Sequence, residues 1–290
     1  MEKKAIRVAY GEAIVKLGAE NDKVVVFDSD LAAATMTNGF MKAYPDRFFD
    51  MGIAEANMTG VAAGMATCGF KPFINTFAMF AAGRSWEQVR NSICYPGLNV
   101  KVVGSHGGLS VGEDGATHQM IEDYAIMRAI PGMVVVSPCD GPEMRAAVKA
   151  LLDYEGPAYM RLGRLAVETV TDTIPGYKFE LGKGCTLVDG TDVTIIAVGM
   201  NVQMSLKAAE LAQLFHIGHC LQQSFRGGFG TQVGIVDDIG KPQAAGGLDF
   251  PHDFQRLFRC PGQRTEKGHL RPAGRGYHLH RRRGNGTGSH

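Results

Sequence analysis

An acidic residue, Glu55, stands at the start of a segment made mainly of small residues, "GIAEANMTGVAAG". The simplest interpretation is a carboxylate that the helix dipole favours in a first helical turn. The small residues that follow allow another group to approach this helix closely. Apolar surroundings also favour the protonated form of a carboxyl group, so Glu55 is a candidate for donating or sharing a proton.

A second candidate site is the loop "GSHGGLSVGEDGATHQ", in which glycines separate two histidines and two acids. A plain connecting loop explains the glycines. It does not explain why His106 and His118 flank Glu113 and Asp114, so a functional loop remains an equal alternative. Further along, Arg161 lies within the apolar stretch "AYMRLGR" and forms either a structural ion pair or an anion clamp.

Aromatic residues follow another apolar run, "KPFINTFAMFAAG". Phe77 and Phe80 are interpreted first as core residues near the end of a strand, since aromatic side chains usually bury their large surface there. A binding pocket is the alternative.

Strand-like and helix-like segments alternate over the first 165 residues, and the strands are nearly continuous apolar runs. This predicts an α/β fold with a mostly parallel sheet covered by helices on both faces. Ligands bind at the carboxyl ends of such strands. The polar residues expected there are Asp28, Asp30, Asp50, His106, Asp114 and Arg161.

A second unit begins near Tyr177, where the segment 179–200 predicts a hairpin leading into a strand, followed by a helix. Residues 1–170 are therefore assigned to one domain, and residues 171–212 to a linker and the start of another. Beyond residue 212 the composition changes, because residues 213–290 carry a net charge of +6 while residues 1–212 carry −5. Apolar periodicity fades in this tail, which holds 15 glycines.

Composition excludes several classes of protein. The formal net charge of +1 gives no reason to expect nucleic-acid binding, and no apolar run is long enough to span a bilayer. The N-terminus lacks an apolar signal core, and the six cysteines form no CxxC pair. We therefore expect a cytoplasmic protein with neither disulfides nor zinc.

Three segments together resemble the transketolase family, in particular the pyrimidine-binding domain of a separately encoded C-terminal subunit. They are "DMGIAEANMTGVAAG", "FAMFAAGRSWEQVRNSI" and "VGEDGATHQMIEDYAIMR", and the resemblance extends to about residue 212. It implies a thiamine diphosphate cofactor and transfer of a two-carbon ketol unit between sugar phosphates, as in the pentose phosphate pathway.

The resemblance also implies roles for individual residues. Glu55 would face N1′ of the cofactor's aminopyrimidine and share a proton with it, while Phe77 stacks on that ring and Phe80 lines the pocket. Catalytic and substrate contacts would come from His118 and Asp114. The remaining implied contacts are His106 and Arg161 as charge-assisted donors to the substrate phosphate, Arg7 as another phosphate-binding residue and Asp30 near the cofactor. Ala32, Ala33 and Ala34 fill the segment where some relatives place a phosphate-binding serine.

Half of the implied cofactor site is absent from the sequence. The family's diphosphate-and-magnesium motif begins Gly-Asp-Gly, and this chain has no such triplet. The resemblance therefore implies that magnesium is held by an N-terminal partner subunit, in an assembly expected to be a heterotetramer.

Three alternatives remain. Deoxyxylulose-phosphate synthase and the beta subunit of 2-oxo acid dehydrogenases share the fold, and a non-catalytic or defective chain is possible because of the tail. We interpret residues 213–290 as a frameshifted, disordered segment. Codons can be chosen for Glu266–Gly284 such that the reading frame one nucleotide later encodes a Gly-Leu turn and an amphipathic helix.

Overall fold

The computed structural model describes residues 3–190, 193–220 and 231–236, and its centre is a six-stranded sheet. The strand order in this sheet is β3-β2-β4-β5-β7-β6, and every neighbouring pair is parallel. The strands of the described residues are β1 (Lys3–Ala5), β2 (Val24–Asp28), β3 (Phe48–Asp50), β4 (Lys71–Phe77), β5 (Lys101–Ser105), β6 (Val134–Val136), β7 (Ala158–Arg161), β8 (Ala166–Glu168), β9 (Gly184–Val188), β10 (Val193–Ala197) and β11 (Thr231–Val236).

Helices connect these strands and cover the sheet. The α-helices of the described residues are α1 (Ile6–Glu20), α2 (Ala32–Thr35), α3 (Asn38–Ala43), α4 (Glu55–Thr67), α5 (Trp86–Gln88), α6 (Asp123–Arg128), α7 (Gly141–Asp153) and α8 (Asn201–Cys220).

Two hydrophobic cores lie on opposite faces of the sheet. On one face, α1 and α7 pack together, burying Tyr10 and Ile14 against Met144 and Val148. On the other face, α4 contributes Met58 and Ala62 to a core that includes Ile74 of β4. Strands such as β2, with the sequence VVVFD, are buried along their whole length because both faces are covered. This confirms the predicted fold class.

The helical segment that follows β4 is only partly α-helical. Met79–Arg84 and Val89–Cys94 are π-helical, and the short α5 lies between them. Short π-helical turns occur frequently at functional sites, where they redirect side chains. Here the first one carries Phe80 and Arg84.

The first turn of α7 is anchored by a buried aspartate. Asp140 is its N-cap, and Oδ1 accepts a hydrogen bond from Glu143 N at 3.0 Å. The other carboxylate oxygen accepts hydrogen bonds from the backbone amides of Val170 and Thr171, both at 2.7 Å. Asp140 therefore joins α7 to the segment that follows β8.

The C-terminal elements differ from the sequence prediction. β9 and β10 do not form a hairpin, because β11 lies between them, parallel to β10 and antiparallel to β9. Regular structure was expected to end at residue 212, whereas α8 continues to Cys220 and "TQVGIV", which contains two valines and an isoleucine, forms β11. The rest of the predicted aberrant tail, 221–230 and 237–290, lies outside the described residues. No helix among the described residues is both long enough and apolar enough to cross a membrane.

Candidate functional site

The predicted site residues gather at the carboxyl edge of the parallel sheet. Phe77 ends β4 and pairs in register with Ser105, the last residue of β5. His106 follows immediately, and Arg161 ends β7, the next strand. Neighbouring parallel strands place their carboxyl ends side by side, so segments far apart in sequence meet at one edge.

Four rings form one cluster at this edge. The rings of Phe77 and His106 stack with centroids 4.1 Å apart, and those of Phe77 and Phe80 with centroids 5.9 Å apart. His118 approaches both phenylalanines edge-on, with centroid distances of 6.1 Å to Phe77 and 5.3 Å to Phe80. The strand end, the π-helical turn and the glycine-rich loop therefore supply one aromatic surface.

Glu55 is the first residue of α4 and is only 1% exposed. Both of its carboxylate oxygens lie 2.8 Å from Nη1 of Arg84, whose guanidinium also stacks over the Phe80 ring at 4.2 Å. The sequence predicted apolar surroundings for this carboxylate, and the structure instead provides a cationic partner. Arg84 lies within "FAMFAAGRSWEQ", but nothing in the sequence indicates that it reaches Glu55, 29 residues away.

His106 is buried and has a positive φ of 59°, in the left-handed region that is uncommon for residues other than glycine. Its Nδ1 lies 2.8 Å from the Ser105 hydroxyl. Burial, assisted by the positive charges of Arg7 and Arg164, lowers the pKa of His106 to about 4. The imidazole of the ligand-free chain is therefore neutral near pH 7, and its expected role as a charge-assisted donor to a substrate phosphate stays a prediction.

Arg161 forms the structural ion pair that was the simpler of its two interpretations. Its Nε lies 2.9 Å from Asp123 Oδ2, an ion pair by distance because the N–H group is not aligned for a hydrogen bond. Its other nitrogens donate to Met120 O and to the Tyr124 hydroxyl, and the side chain is 17% exposed. These contacts hold the guanidinium against the loop 106–120, and its role as an anion clamp stays a prediction.

Arg164 is more exposed than Arg161. Its side chain is 27% exposed and lies beyond the end of β7, where it donates to Val111 O and pairs with Glu113. This pairing lowers the pKa of Glu113. Both arginines lie in the stretch "AYMRLGR", and the family resemblance implied Arg161 rather than Arg164.

Arg7 also lies near His106, since its charge contributes to the low pKa of that residue. Its Nη1 donates to Ala34 O at 2.8 Å, and its buried Nε has no hydrogen-bond partner in the described part of the chain. Arg7 therefore retains a donor at the same edge of the sheet.

The remaining predicted residues lie nearby without forming part of the ring cluster. Asp114 ends a 3₁₀ turn, Leu109–Asp114, and its negative charge opposes the two arginines in their effect on the pKa of His106. Asp30 follows β2, is exposed, and donates its backbone amide to Asp50 Oδ1 at 3.0 Å.

The fold and site together define an α/β protein with a ligand site at the carboxyl edge of a parallel sheet. The family model described as "Transketolase, pyrimidine binding domain" matches residues 2–169. The chain therefore belongs to the transketolase family. This match and the similarity to separately encoded C-terminal sections assign the chain to the C-terminal, pyrimidine-domain part of a split transketolase.

Several individual relatives support this assignment. The chain is 49% identical to a putative transketolase C-terminal section from Methanocaldococcus jannaschii, over 72% of this chain and 66% of that protein. It is 42% identical to the 6-deoxy-6-sulfo-D-fructose transketolase subunit SqwH from Clostridium sp. MSTE9, over 72% of this chain and 65% of that protein. The matched region thus spans just under two thirds of these relatives.

Among solved structures, one described as a split-gene transketolase in an inactive β4 tetramer is similar. The identity is 46% and the TM-score is 0.69, covering 82% of this chain and 72% of that chain.

Membership of this family implies dependence on thiamine diphosphate. The residues present fit the aminopyrimidine end of that cofactor, because a buried carboxylate and an aromatic surface suit a flat, proton-accepting ring. For the diphosphate end, no cluster of three or more His, Cys, Asp or Glu side chains suited to a metal ion occurs among the described residues.

Proposed function

We propose that this chain is the pyrimidine-binding subunit of a two-chain transketolase that transfers a two-carbon ketol unit from a ketose phosphate to an aldose phosphate. The observation that carries the proposal is Glu55, a buried carboxylate at the start of α4, linked through Arg84 to the aromatic cluster. We keep residues 1–170 as the proposed pyrimidine-binding domain and 171–212 as the linker and start of the next domain.

The roles of the residues follow from their positions. Glu55 holds a proton at the ring nitrogen of the aminopyrimidine, because a carboxylate shielded from water keeps a hydrogen bond that water would otherwise weaken. Phe77 and Phe80 bind the face of that ring by stacking. Thiamine diphosphate supplies the carbanion chemistry when bound, and the protein supplies orientation and charge.

Substrate contacts come from the polar side of the site. Arg7 and Arg164 attract the phosphate group of a sugar phosphate, and neutral His106 donates or accepts one hydrogen bond. His118, next to Phe80, and Asp114 line the approach to the rings. Arg161 supports the loop 106–120, and its expected contact with the phosphate stays a prediction.

The diphosphate group and magnesium belong, in this proposal, to an N-terminal partner subunit. The support is the missing Gly-Asp-Gly triplet and the similarity to separately encoded C-terminal sections. We expect a cytoplasmic heterotetramer of two chains of each kind, with the cofactor between unlike chains.

The direct test of the proposed function measures proton exchange at C2 of thiamine diphosphate in the complex with the partner. Glu55→Gln keeps the size of the side chain but removes its ability to take up a proton, so exchange should fall by at least about a hundredfold. Glu87→Gln, which changes an exposed carboxylate on α5, is the matched control and should exchange like the wild type. Equal exchange in Glu55→Gln and the wild type would remove the proposed role.

Partner dependence is tested by mixing the purified chains. This chain with thiamine diphosphate and magnesium should show no ketol transfer until the partner is added. Turnover by the single chain would contradict the two-chain proposal.

The phosphate assignment is tested by comparing arginines. Arg164→Ala and Arg7→Ala should raise KM for phosphorylated sugars more than for unphosphorylated ones. Arg90→Ala, an exposed arginine on the second π-helical turn, serves as the charge control. A similar rise for both kinds of sugar would remove the phosphate role.

A non-catalytic chain is the second candidate, and the change of composition after residue 212 favours it. If the tail is frameshifted, the domain that begins after the linker is incomplete, and assembly with the partner should be weak. Sequencing the gene tests this directly, because stop codons throughout the frame one nucleotide later would exclude a frameshift. Assays with pyruvate and glyceraldehyde 3-phosphate, or with 2-oxo acids, distinguish the two related enzymes from a transketolase.

A further inference from the structure

The Glu55 carboxylate is held by one nitrogen of one side chain. Its two oxygens are equidistant, at 2.8 Å, from Nη1 of Arg84, so this nitrogen lies between them. Glu55 is 1% exposed, and among the described residues Arg84 is the one cation within ion-pair distance of it. A buried carboxylate without a partner is strongly unfavourable, so Arg84 makes the buried position tolerable.

Arg84 contacts the aromatic side of the site at the same time. It is the last residue of the π-helical turn Met79–Arg84, and its guanidinium lies 4.2 Å over the Phe80 ring. Phe80 in turn contacts the rings of Phe77 and His118. One side chain therefore spans the carboxylate and the ring surface, the two groups that the proposed cofactor ring needs together.

The side chain of Arg84 is also 47% exposed. A guanidinium that served only to neutralise a buried charge would be expected to lie beneath it, away from the open edge of the sheet. Here the cation lies at the mouth of the site and reaches inward to Glu55.

We propose that Arg84 is a positioning residue for Glu55. It fixes the carboxylate in one orientation beside the Phe80 ring and occupies the space between the two oxygens, which leaves the outer lone pairs for a ring nitrogen. This inference rests on the proposed function, since it gives that ring nitrogen a place to bind.

The first experiment uses this chain alone and needs no cofactor. Arg84→Met keeps an unbranched apolar stem but removes the guanidinium, so that Glu55 is buried and unpaired, and it should lower the thermal unfolding midpoint by roughly 5 °C. Adding Glu55→Gln should recover most of that loss, because the unpaired charge is gone. If the double variant is no more stable than Arg84→Met, the two side chains are not coupled and the proposal is overturned.

The second experiment measures thiamine diphosphate binding to the complex with the partner. The signal is the fluorescence of Trp86, the single tryptophan of this chain, which lies two residues from Arg84. Arg84→Met should weaken binding at least about tenfold, as expected for the loss of an oriented charged hydrogen-bonding group. Arg84→Lys restores the charge and should recover part of the affinity. Arg90→Met removes one exposed positive charge nearby and should bind like the wild type.

The two experiments separate this inference from the proposed function. Wild-type affinity in Arg84→Met would overturn the positioning role, while the Glu55→Gln exchange test would still stand on its own. Equal loss in Arg84→Met and Arg84→Lys, with no recovery, would also overturn it, because a positioning cation must be partly replaceable by another cation.

Discussion

Replacing Gly107 with alanine tests how tightly the loop 106–120 is fitted to Arg161. A Cβ at this position would lie 2.2 Å from Nε and 2.8 Å from Cζ of Arg161, far inside van der Waals contact. The backbone cannot simply retreat, because Gly107 N donates to Leu162 O at 3.0 Å. The guanidinium is itself held by Asp123, Met120 O and Tyr124.

Two routes relieve this clash, and both are costly. Moving the loop costs about 1–3 kcal/mol, as overpacking of a fitted site usually does. Moving the guanidinium away from Asp123, which is fully buried, costs about 3–5 kcal/mol because that carboxylate is left unpaired. The cheaper route prevails, so we expect Gly107→Ala to lose about 2–3 kcal/mol of unfolding free energy.

Urea denaturation of the purified chain measures this loss. Gly60→Ala is the matched control, since a Cβ there meets nothing within 4 Å and the residue lies in a helix. The control should gain about 0.5–1 kcal/mol from helix propensity. A loss below about 1 kcal/mol in Gly107→Ala would show that the loop is not fitted to Arg161 as described.

Three further predictions concern single groups. The His106 imidazole should remain neutral until the pH approaches 4 in an NMR titration, because burial and two nearby arginines oppose its protonation; protonation above pH 6 would contradict this. Burial lowers the pKa of Lys101 to about 7, so the unfolded chain binds a proton that the folded chain lacks between pH 7 and the ordinary value of 10.5. The free energy of unfolding should therefore rise with pH across this window. Urea unfolding at pH 7 and pH 9 measures the rise, and Lys101→Met should lose the part that Lys101 contributes. A rise as large in Lys101→Met as in the wild type would rule out the linkage. Asp140→Ala leaves three backbone amides without their acceptor and should cost about 3 kcal/mol of unfolding free energy. The control Asp153→Ala changes an exposed residue at the end of a helix and should cost less than about 0.5 kcal/mol.

Local patterns predicted the fold well where the periodicity was strong. The strand expected to end near Phe77 is β4, and the helix expected to begin at Glu55 is α4. The π-helical turns were missed because they differ from an α-helix in hydrogen-bond register, which leaves little trace in an apolar pattern. β11 was missed because its place between β9 and β10 depends on pairing between distant segments.

The site was predictable in its parts but not in all of its contacts. Phe77, Phe80, His106 and His118 were selected from two segments, and the structure brings their rings together. Arg161 was preferred over Arg164 because it lies within an apolar stretch and because the family resemblance implied it. Arg161 lies within β7, in register with Gly104, and contacts internal partners, whereas Arg164 lies past the end of the strand. The two arginines therefore differ in where they lie relative to the end of β7, and the sequence does not fix that end.

The number of residues in the π-helical turn Met79–Arg84 determines the direction in which Arg84 points. A π-helix holds one more residue in each hydrogen-bonded turn than an α-helix. Deleting one residue from this turn would give the turn α-helical geometry and rotate the helix that follows by roughly 100° about its axis. Arg84 would then point away from Glu55, even with the other side chains of the site unchanged. Chimeras that exchange this helix with one of regular geometry must therefore match its length as well as its sequence.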